Sequence, residues 1–344
     1  MSPVNIGVVG ATGQVGAVVR EHTRNVLSRL ERHFGLDRYG FEAVERARDR
    51  IRPYLSATPL RRYPVLDALA GGPREIWVKH ENHNPTGSFK VRNALSAMTA
   101  LTSGQRARGV VAATRGNHGL GLAWAGTLLG VPVTLCVPEG NNPEKNEGMR
   151  GFGAQVGEKG RDYDEAVEVA DELVSQRGLS LVHGTNDPEV IAGAGTISLE
   201  ILEQNPSVAA IVVGVGGGSQ AVGTLTVARA LDPGVAVYAV QAQGASAIHD
   251  SWHAGRAITR PTADTFADGL ATRNVYPMTF GALREGLAGF VAVSEKELAD
   301  AVRLLLRATH NLAEGAGAAP LAGLRHFREA LSGGAGEILE AIRG

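Results

Sequence analysis

Lys90 closes the segment Glu81-Asn82-His83-Asn84-Pro85-Thr86-Gly87-Ser88-Phe89-Lys90, and its placement suits an amine for imine chemistry. Ahead of it, Glu75-Ile76-Trp77-Val78-Lys79 reads as a short strand. Asn84-Pro85-Thr86-Gly87 reads as a turn, and Ser88 as the N-cap of a helix from Phe89 to Met98. Lys90 therefore falls in a first helical turn. There the positive end of the helix dipole and the desolvation of a cleft both disfavour an ammonium, leaving the neutral amine that condenses with an aldehyde. Most single lysines are solvated surface charges, so the assignment needs a second element of a site.

That element is Ile211-Val212-Val213-Gly214-Val215-Gly216-Gly217-Gly218-Ser219-Gln220, an apolar strand running into a glycine-rich loop and a helix from about Ala221. Residues without side chains let successive N–H groups approach an anion, and the helix presents its positive end to the same point, as a phosphate cradle requires. No Gly-Lys-Ser/Thr follows, which argues against a nucleotide P-loop; a plain strand-to-helix turn is the other reading. Between the two lies Ala113-Thr114-Arg115-Gly116-Asn117-His118-Gly119. With Thr58-Pro59-Leu60, Glu144-Lys145-Asn146, Ala267-Asp268-Gly269-Leu270-Ala271 and Glu314-Gly315-Ala316-Gly317, these motifs occur in one order from near Phe41 to about Leu324. Together they resemble the fold-type II pyridoxal-phosphate enzymes, specifically the threonine/serine dehydratase (ammonia-lyase) family.

The resemblance implies an α/β fold of two open, largely parallel three-layer sheets, similar to the tryptophan synthase β subunit, with the active site between domains. The expected division is an N-terminal extension over 1–40, a large cofactor-binding domain from 41–108 and 188–344, and a small substrate-side domain over 109–187. Pyridoxal 5'-phosphate is the implied cofactor. Lys90 would carry it as a Schiff base and then take the substrate α-proton, leading through β-elimination of a 3-hydroxy amino acid such as L-threonine or L-serine to a 2-oxo acid and ammonia. By the same resemblance, Phe89 packs beside the cofactor ring, Asn117 meets its phenolic oxygen, and Gly216, Gly217, Gly218 and Ser219 hold its phosphate. Gly269 and Glu314 also lie at the cofactor, and Ser332 is the candidate for its pyridine nitrogen. Ser88, Thr114, Arg115, Gly116 and His118 are candidates for the substrate side. Without the family context, Ser88 and Thr114 read equally as caps, His118 as a loop histidine, Phe89 as core, Asn117 as a helix-start residue and Glu314 as a charge complementing a helix dipole.

Composition agrees with a soluble enzyme. The 344 residues are 44% hydrophobic, enough for substantial cores, and the formal net charge of −1 leaves no electrostatic footprint for nucleic acid or an anionic membrane. Neither a membrane-length apolar run nor an export signal is evident, so a cytoplasmic location is expected. The partner is a small amino acid, and a homodimer or higher homo-oligomer is expected. Cys136 is the only cysteine and falls in a strand-like stretch, so it reads as packing. Strands are read at Val110 to Ala113, Pro132 to Val137, Gln155 to Gly157, Leu179 to Val182, Ile211 to Gly214 and Val235 to Gln241. Helical patterns lie at Asn117 to Leu129, Asn142 to Arg150, Tyr163 to Gln176, Ala221 to Ala230, Glu295 to Thr309 and Ala313 to Arg328. Gly7-Val8-Val9-Gly10-Ala11-Thr12-Gly13-Gln14-Val15-Gly16 looks like a dinucleotide fingerprint, but no full βαβ unit follows, and it reads better as an added strand and helix. No metal requirement is expected, because Val240-Gln241-Ala242-Gln243-Gly244 offers amides where a hard cation prefers carboxylates.

Three departures from the family pattern stand out. Arg115 replaces a small residue, at the position where serine racemases carry a serine serving the opposite face of the α-carbon; a guanidinium does not release its proton near neutrality, so racemisation is disfavoured. Arg115 either grips a carboxylate, which suits a 3-hydroxyaspartate substrate, or faces solvent. Leu120 stands for a glutamine and Gly119 for an alanine, changes expected to bear on side-chain selection. Finally, the apolar strand expected before Ser332-Gly333-Gly334 is replaced by His326 to Leu331, which reads as helix. This leaves β-replacement of the cysteine-synthase type, 3-hydroxyaspartate dehydration and an impaired cofactor-binding homologue as alternatives.

Overall fold

A computed structural model of the chain describes residues 40–70, 74–161, 163–327 and 337–342. The dinucleotide-like N-terminal segment and Ser332 lie outside the described residues. Two sheets organise the rest. The smaller contains β3 (Val110–Ala113), β4 (Val133–Val137), β5 (Gln155–Glu158) and β6 (Ser180–Leu181) in the order β5-β4-β3-β6, all parallel. The larger has six strands in the order β1-β2-β10-β7-β8-β9: β1 (Leu60–Arg62), β2 (Ile76–His80), β10 (Glu337–Ile342), β7 (Val208–Gly214), β8 (Ala236–Ala242) and β9 (Gly289–Val293). Only the β1–β2 pair is antiparallel.

Both sheets are covered on two faces, which is why their central strands are apolar on successive residues. Along β7, Ile211 and Val213 enter one core with Phe89, Ile197 and Leu225, while Ala210 and Val212 enter the opposite core with Val240, Leu298 and Leu321. Along β3, Val110 and Ala112 face one core and Val111 and Ala113 the other, where Cys136 is buried as a free thiol. This is the three-layer α/β arrangement expected from the sequence. Strand and helix positions agree to within a few residues, with α1 (Phe41–Ile51) and α2 (Pro64–Ala70) opening the described chain.

The helices nearest the sheet junction are α3 (Lys90–Ala100), α4 (Ser103–Arg108), α5 (Asn117–Leu129), α6 (Pro143–Gly151), α7 (Tyr163–Arg177), α8 (Pro188–Gln204) and α9 (Ser219–Leu231). Helix α8 has no polar face; residues from Val190 to Leu199 are buried without interruption, so it lies between other helices. Glycines let it sit close: a Cβ on Gly193 would lie 2.6 Å from the Arg92 carbonyl, and one on Gly223 2.6 Å from Gly195 N. Past α9 come α10 (Ala247–Ala254), α11 (Pro277–Gly286), α12 (Glu295–Thr309) and α13 (Gly315–Leu324).

One expectation is overturned. The late strand that the sequence did not reveal exists as β10, seated between β2 and β7 and parallel to both. It follows Ser332-Gly333-Gly334 instead of preceding it, and Glu337 and Glu340 give Glu-Ile-Leu-Glu-Ala-Ile a helix-like spacing that hides a sheet-interior strand.

A set of buried charges ties β2 to α3 and α8. Arg92 Nε and Nη2 donate to the two oxygens of Glu81 at 2.8 and 3.0 Å, and its Nη1 and Nη2 reach Glu200 at 2.6 and 2.8 Å. Lys79 Nζ donates to Glu200 at 2.6 Å and to the Thr58 carbonyl at 2.7 Å, while the Thr58 hydroxyl donates to Glu81 at 2.6 Å. Burial opposes ionisation of Glu81, but Arg92, Lys79 and Thr58 hold its carboxyl below the usual range. Burial likewise pushes the Lys79 ammonium down against the attraction of Glu200. Replacing Arg92 with Met strands the Glu81 carboxylate in the interior and leaves Glu200 to Lys79 alone, so unfolding by denaturant should show a loss of roughly 3–5 kcal/mol. A loss below about 1 kcal/mol, the range of an exposed pair, would show that the network is solvated.

Candidate active site

The two sheets frame an open cleft lined by Lys90, residues 113–118, Lys145, Tyr163, Gly184, Thr185, Gly216, Gly217, Asp268, Gly269, Ala271, Thr272 and Tyr276. Lys90 opens α3 one residue later than expected, with Phe89 at the N-cap and the Ser88 hydroxyl accepting from Lys90 N at 3.2 Å. The lysine is 6% exposed, and its Nζ donates to the Gly184 carbonyl at 3.2 Å. Its backbone is held from behind by α5, where a Cβ on Gly121 would approach the Lys90 carbonyl to 2.7 Å.

Opposite Lys90, β7 ends at the Gly216-Gly217-Gly218 loop and α9 begins at Ser219, two residues before the helix read from the sequence. Gly218 has φ +97°, which lets the chain turn sharply into the helix. A Cβ on Gly217 would lie 2.1 Å from Thr185 Oγ1. Among the described residues no carbonyl receives the N–H groups of Gly216, Gly217 or Gly218, so these donors and the start of α9 together suit an anion.

The loop between β3 and α5 is tied internally. The Thr114 hydroxyl accepts from Gly116 N and Gly119 N, both at 3.0 Å, so Thr114 acts as a cap. The opening turn of α5 lies on the same cleft wall, with its Gly119 N–H capped by Thr114 and the positive end of the helix turned to the cleft lining at Asn117 and His118. Asn117 Nδ2 donates to Glu314 Oε1 at 2.8 Å, and Lys145 Nζ lies 3.2 Å from Asp268 and 3.8 Å from Glu314. Lys145 on α6 thus joins the small-sheet side to the 268–272 turn across the cleft.

Two histidines beside the cleft are neutral. His118 Nε2 carries the proton, since it donates to the Val182 carbonyl at 3.0 Å; burial, with the Lys90 charge nearby, lowers its pKa to about 3. Its imidazole therefore offers a carboxylate no donor, and its backbone N–H is the group that suits that role. His183 was not anticipated. Its Nδ1 accepts from Thr185 N and Asn186 N at 3.0 and 2.8 Å, its ring meets Tyr276 edge-on, and burial with Lys90 lowers its pKa to about 4.

Of the other anticipated residues, Arg115, Gly116, Asn117 and Gly269 line the cleft, and Gly218 and Ser219 continue the cradle behind it. Ser88 and Phe89 are fully buried beneath the lysine; the Phe89 ring centroid is 4.8 Å from Lys90 Nζ and packs into the core. Leu120 turns to the α3–α5 core instead of the cleft, and Gly119 makes room for Met149, whose sulfur would lie 2.3 Å from an added Cβ. Neither residue lines the cleft. Lys145 and Asp268 lie in quoted motifs whose roles were not assigned, whereas Tyr163, Thr185 and Tyr276 carry no local signal and reach the cleft only through the fold.

This fold and cleft define a pyridoxal-phosphate enzyme: over residues 51–339 the chain matches the family described as pyridoxal-phosphate dependent enzyme, and it belongs to that family. It is 39% identical over 288 residues to L-threonine ammonia-lyase of Geobacter sulfurreducens, covering 84% of this chain and 71% of that protein. Among solved structures, the threonine deaminase of T.th. superposes with a TM-score of 0.81 at 35% identity, covering 89% and 97% of the two chains. Maize serine racemase superposes with a TM-score of 0.85 at 28% identity, covering 89% and 93%. The chain uses pyridoxal 5'-phosphate, and its donor set fits that group: a buried amine, three unclaimed glycine N–H groups and a helix terminus for a phosphate. No helix among the described residues is long and apolar enough to cross a membrane, and no group of His, Cys, Asp and Glu among them could hold a metal.

A methyl group at Gly217 would press on Thr185 and close the cradle, so Gly217→Ala should weaken retention of the cofactor at least tenfold in equilibrium dialysis; unchanged retention would remove the loop from phosphate binding. The neutral histidines give a second expectation. His118 and His183, with His80 lowered to about 4 beside Tyr63, stay unprotonated when folded, but take protons below about pH 6.5 once unfolded. Their contribution to stability is therefore complete above pH 6.5 and declines as pH falls toward 4. The melting temperature should drop across that window, with proton uptake on unfolding near pH 5.5; a flat profile between pH 7 and 5 would contradict their buried, neutral state.

Proposed function

We propose that the enzyme is an ammonia-lyase that converts a 3-hydroxy amino acid such as L-threonine or L-serine to a 2-oxo acid and ammonia. The carrying observation is the pairing of Lys90, 6% exposed in a first helical turn, with the Gly216-Gly217-Gly218 cradle in the same cleft. The likeness to a threonine ammonia-lyase and a threonine deaminase supports the choice of reaction.

Lys90 Nζ is the group that holds the cofactor and moves the α-proton. The loop N–H groups and the start of α9 hold the phosphate, and the opening turn of α5 takes the α-carboxylate. Bound there, the cofactor supplies an electron sink for the charge left on the α-carbon. Departure of the β-hydroxyl as water, followed by hydrolysis that returns a water, balances amino acid against 2-oxo acid and ammonia. Gly269 lines the same cleft, and the Asn117–Glu314 pair fixes an amide that would meet the bound cofactor. Charged Lys145 holds Asp268 and Glu314, which keeps their carboxylates from competing with the substrate for donors.

A large unit of 41–108 and 188–344 and a small unit of 109–187 belong to this reading, supported by β3 through β6 all falling between Val110 and Leu181. A homo-oligomer in the cytoplasm completes it, favoured by exposed Leu306 and Leu312 around the end of α12.

Purified protein with cofactor should release 2-oxo acid and ammonia from at least one of L-threonine, L-serine and 3-hydroxyaspartate. Lys90→Ala should lower kcat by about 10²–10⁴-fold, the usual worth of a positioned proton-transfer group, with loss of the cofactor's imine absorbance. Undiminished turnover in that variant would sink the assignment.

A further inference from the structure

Arg115 is the cation in the cleft that the lyase reading does not use. Lys90 serves the cofactor, and Lys145 lies between Asp268 and Glu314. Arg115 lines the same cleft, yet among the described residues it pairs with no carboxylate, and its Nε is buried with no hydrogen-bond partner. A half-buried guanidinium with a desolvated N–H is costly unless an acceptor completes it.

The backbone around it is prepared in advance. Arg115 sits between Thr114 and Gly116, in a loop closed from within by the two hydrogen bonds to the Thr114 hydroxyl. On its other side, a Cβ on Gly116 would lie 2.2 Å from Lys145 Cδ, so Lys145 packs directly on the loop. A loop anchored in this way fixes the backbone from which the side chain leaves, so little backbone entropy is left to lose on binding. An α-carboxylate already has the opening turn of α5 to receive it. The guanidinium is therefore an additional site for anion recognition.

We propose that Arg115 binds a second, side-chain carboxylate of the substrate, so that the favoured class is 3-hydroxy amino acids with two carboxylates, 3-hydroxyaspartate being the simplest. This rests on the lyase reading for its reaction, but not for its binding. A monocarboxylic substrate would leave Arg115 without a carboxylate partner, whereas a dicarboxylate satisfies it through a planar, bidentate contact.

The test compares kcat/KM for 3-hydroxyaspartate and L-serine in the holoenzyme, in Arg115→Gln and in Arg115→Lys. The wild type should favour 3-hydroxyaspartate at least tenfold. Arg115→Gln should lower the ratio of the two values by about 10- to 100-fold, mainly through KM for 3-hydroxyaspartate, in line with loss of a charge-assisted hydrogen bond. Arg115→Lys should fall between, keeping the charge without the fork. An unchanged ratio, or losses of equal size on both substrates, would overturn the proposal. Calorimetric binding of succinate and butyrate to the holoenzyme separates the two readings. Succinate binding at least tenfold tighter, lost in Arg115→Gln, supports the second-carboxylate site even if no substrate turns over and the lyase reading fails; equal affinities overturn the site whatever the turnover.

Discussion

Lys79, Glu81, Arg92 and Glu200 are four charges with little or no access to water, and the placement of the reactive amine depends on their balance. A guanidinium does not deprotonate, so once Arg92 is inside, two carboxylates must be brought to it from different directions. Glu81 comes from the end of β2 and Glu200 from α8, while Lys90 stands two residues ahead of Arg92 on α3. Apolar side chains of equal volume would fill the same space. The ion pairs also fix the rotation of α3 about its axis, and with it the direction in which the lysine leaves the helix. Close backbone approaches at Gly121 and Gly193 fix its translation.

With the amine oriented, the remaining electrostatics follow one sign. The openings of α5 and α9 and the Arg115 guanidinium all make the cleft attractive to anions. Its carboxylates, Asp268 and Glu314, are engaged by Lys145 and Asn117. Keeping His118 and His183 neutral stops more positive charge accumulating beside a lysine that must give up its own proton. Burial of these rings thus bears on the site as well as on the core.

Parts of this arrangement are legible in the chain because they rest on local rules. Turn, cap and first-turn lysine form one contiguous segment around Lys90, and Gly216 to Gly218 follow an apolar strand that needs no partner to be recognised. Thr185 and Tyr276 are invisible by the same logic, since they enter the cleft only where the two sheets meet. His118 falls in the first turn of α5, within the helix legible from Asn117, but the direction of its donor is set by the Val182 carbonyl, far along the chain. Gly119 and Leu120 belong to a cleft-lining motif whose spacing does not say which way each residue faces; Met149 lies against the one and the α3–α5 core against the other. Strand β10 escaped because two glutamates three residues apart imitate an exposed helix.

The place of β10 also bears on the order in which the chain assembles. It lies between β2 and β7, and all of β3 to β6 separate those two strands in sequence. The four-stranded sheet is built from consecutive segments and can close while later residues are still being synthesised. The six-stranded sheet cannot: until Glu337–Ile342 is available, β2 and β7 each lack the neighbour that receives their inner hydrogen bonds. A nascent chain therefore carries one unfinished sheet edge from β2 onward and a second from β7 onward until β10 emerges, and the cleft, whose lysine follows one edge and whose phosphate cradle follows the other, takes shape last.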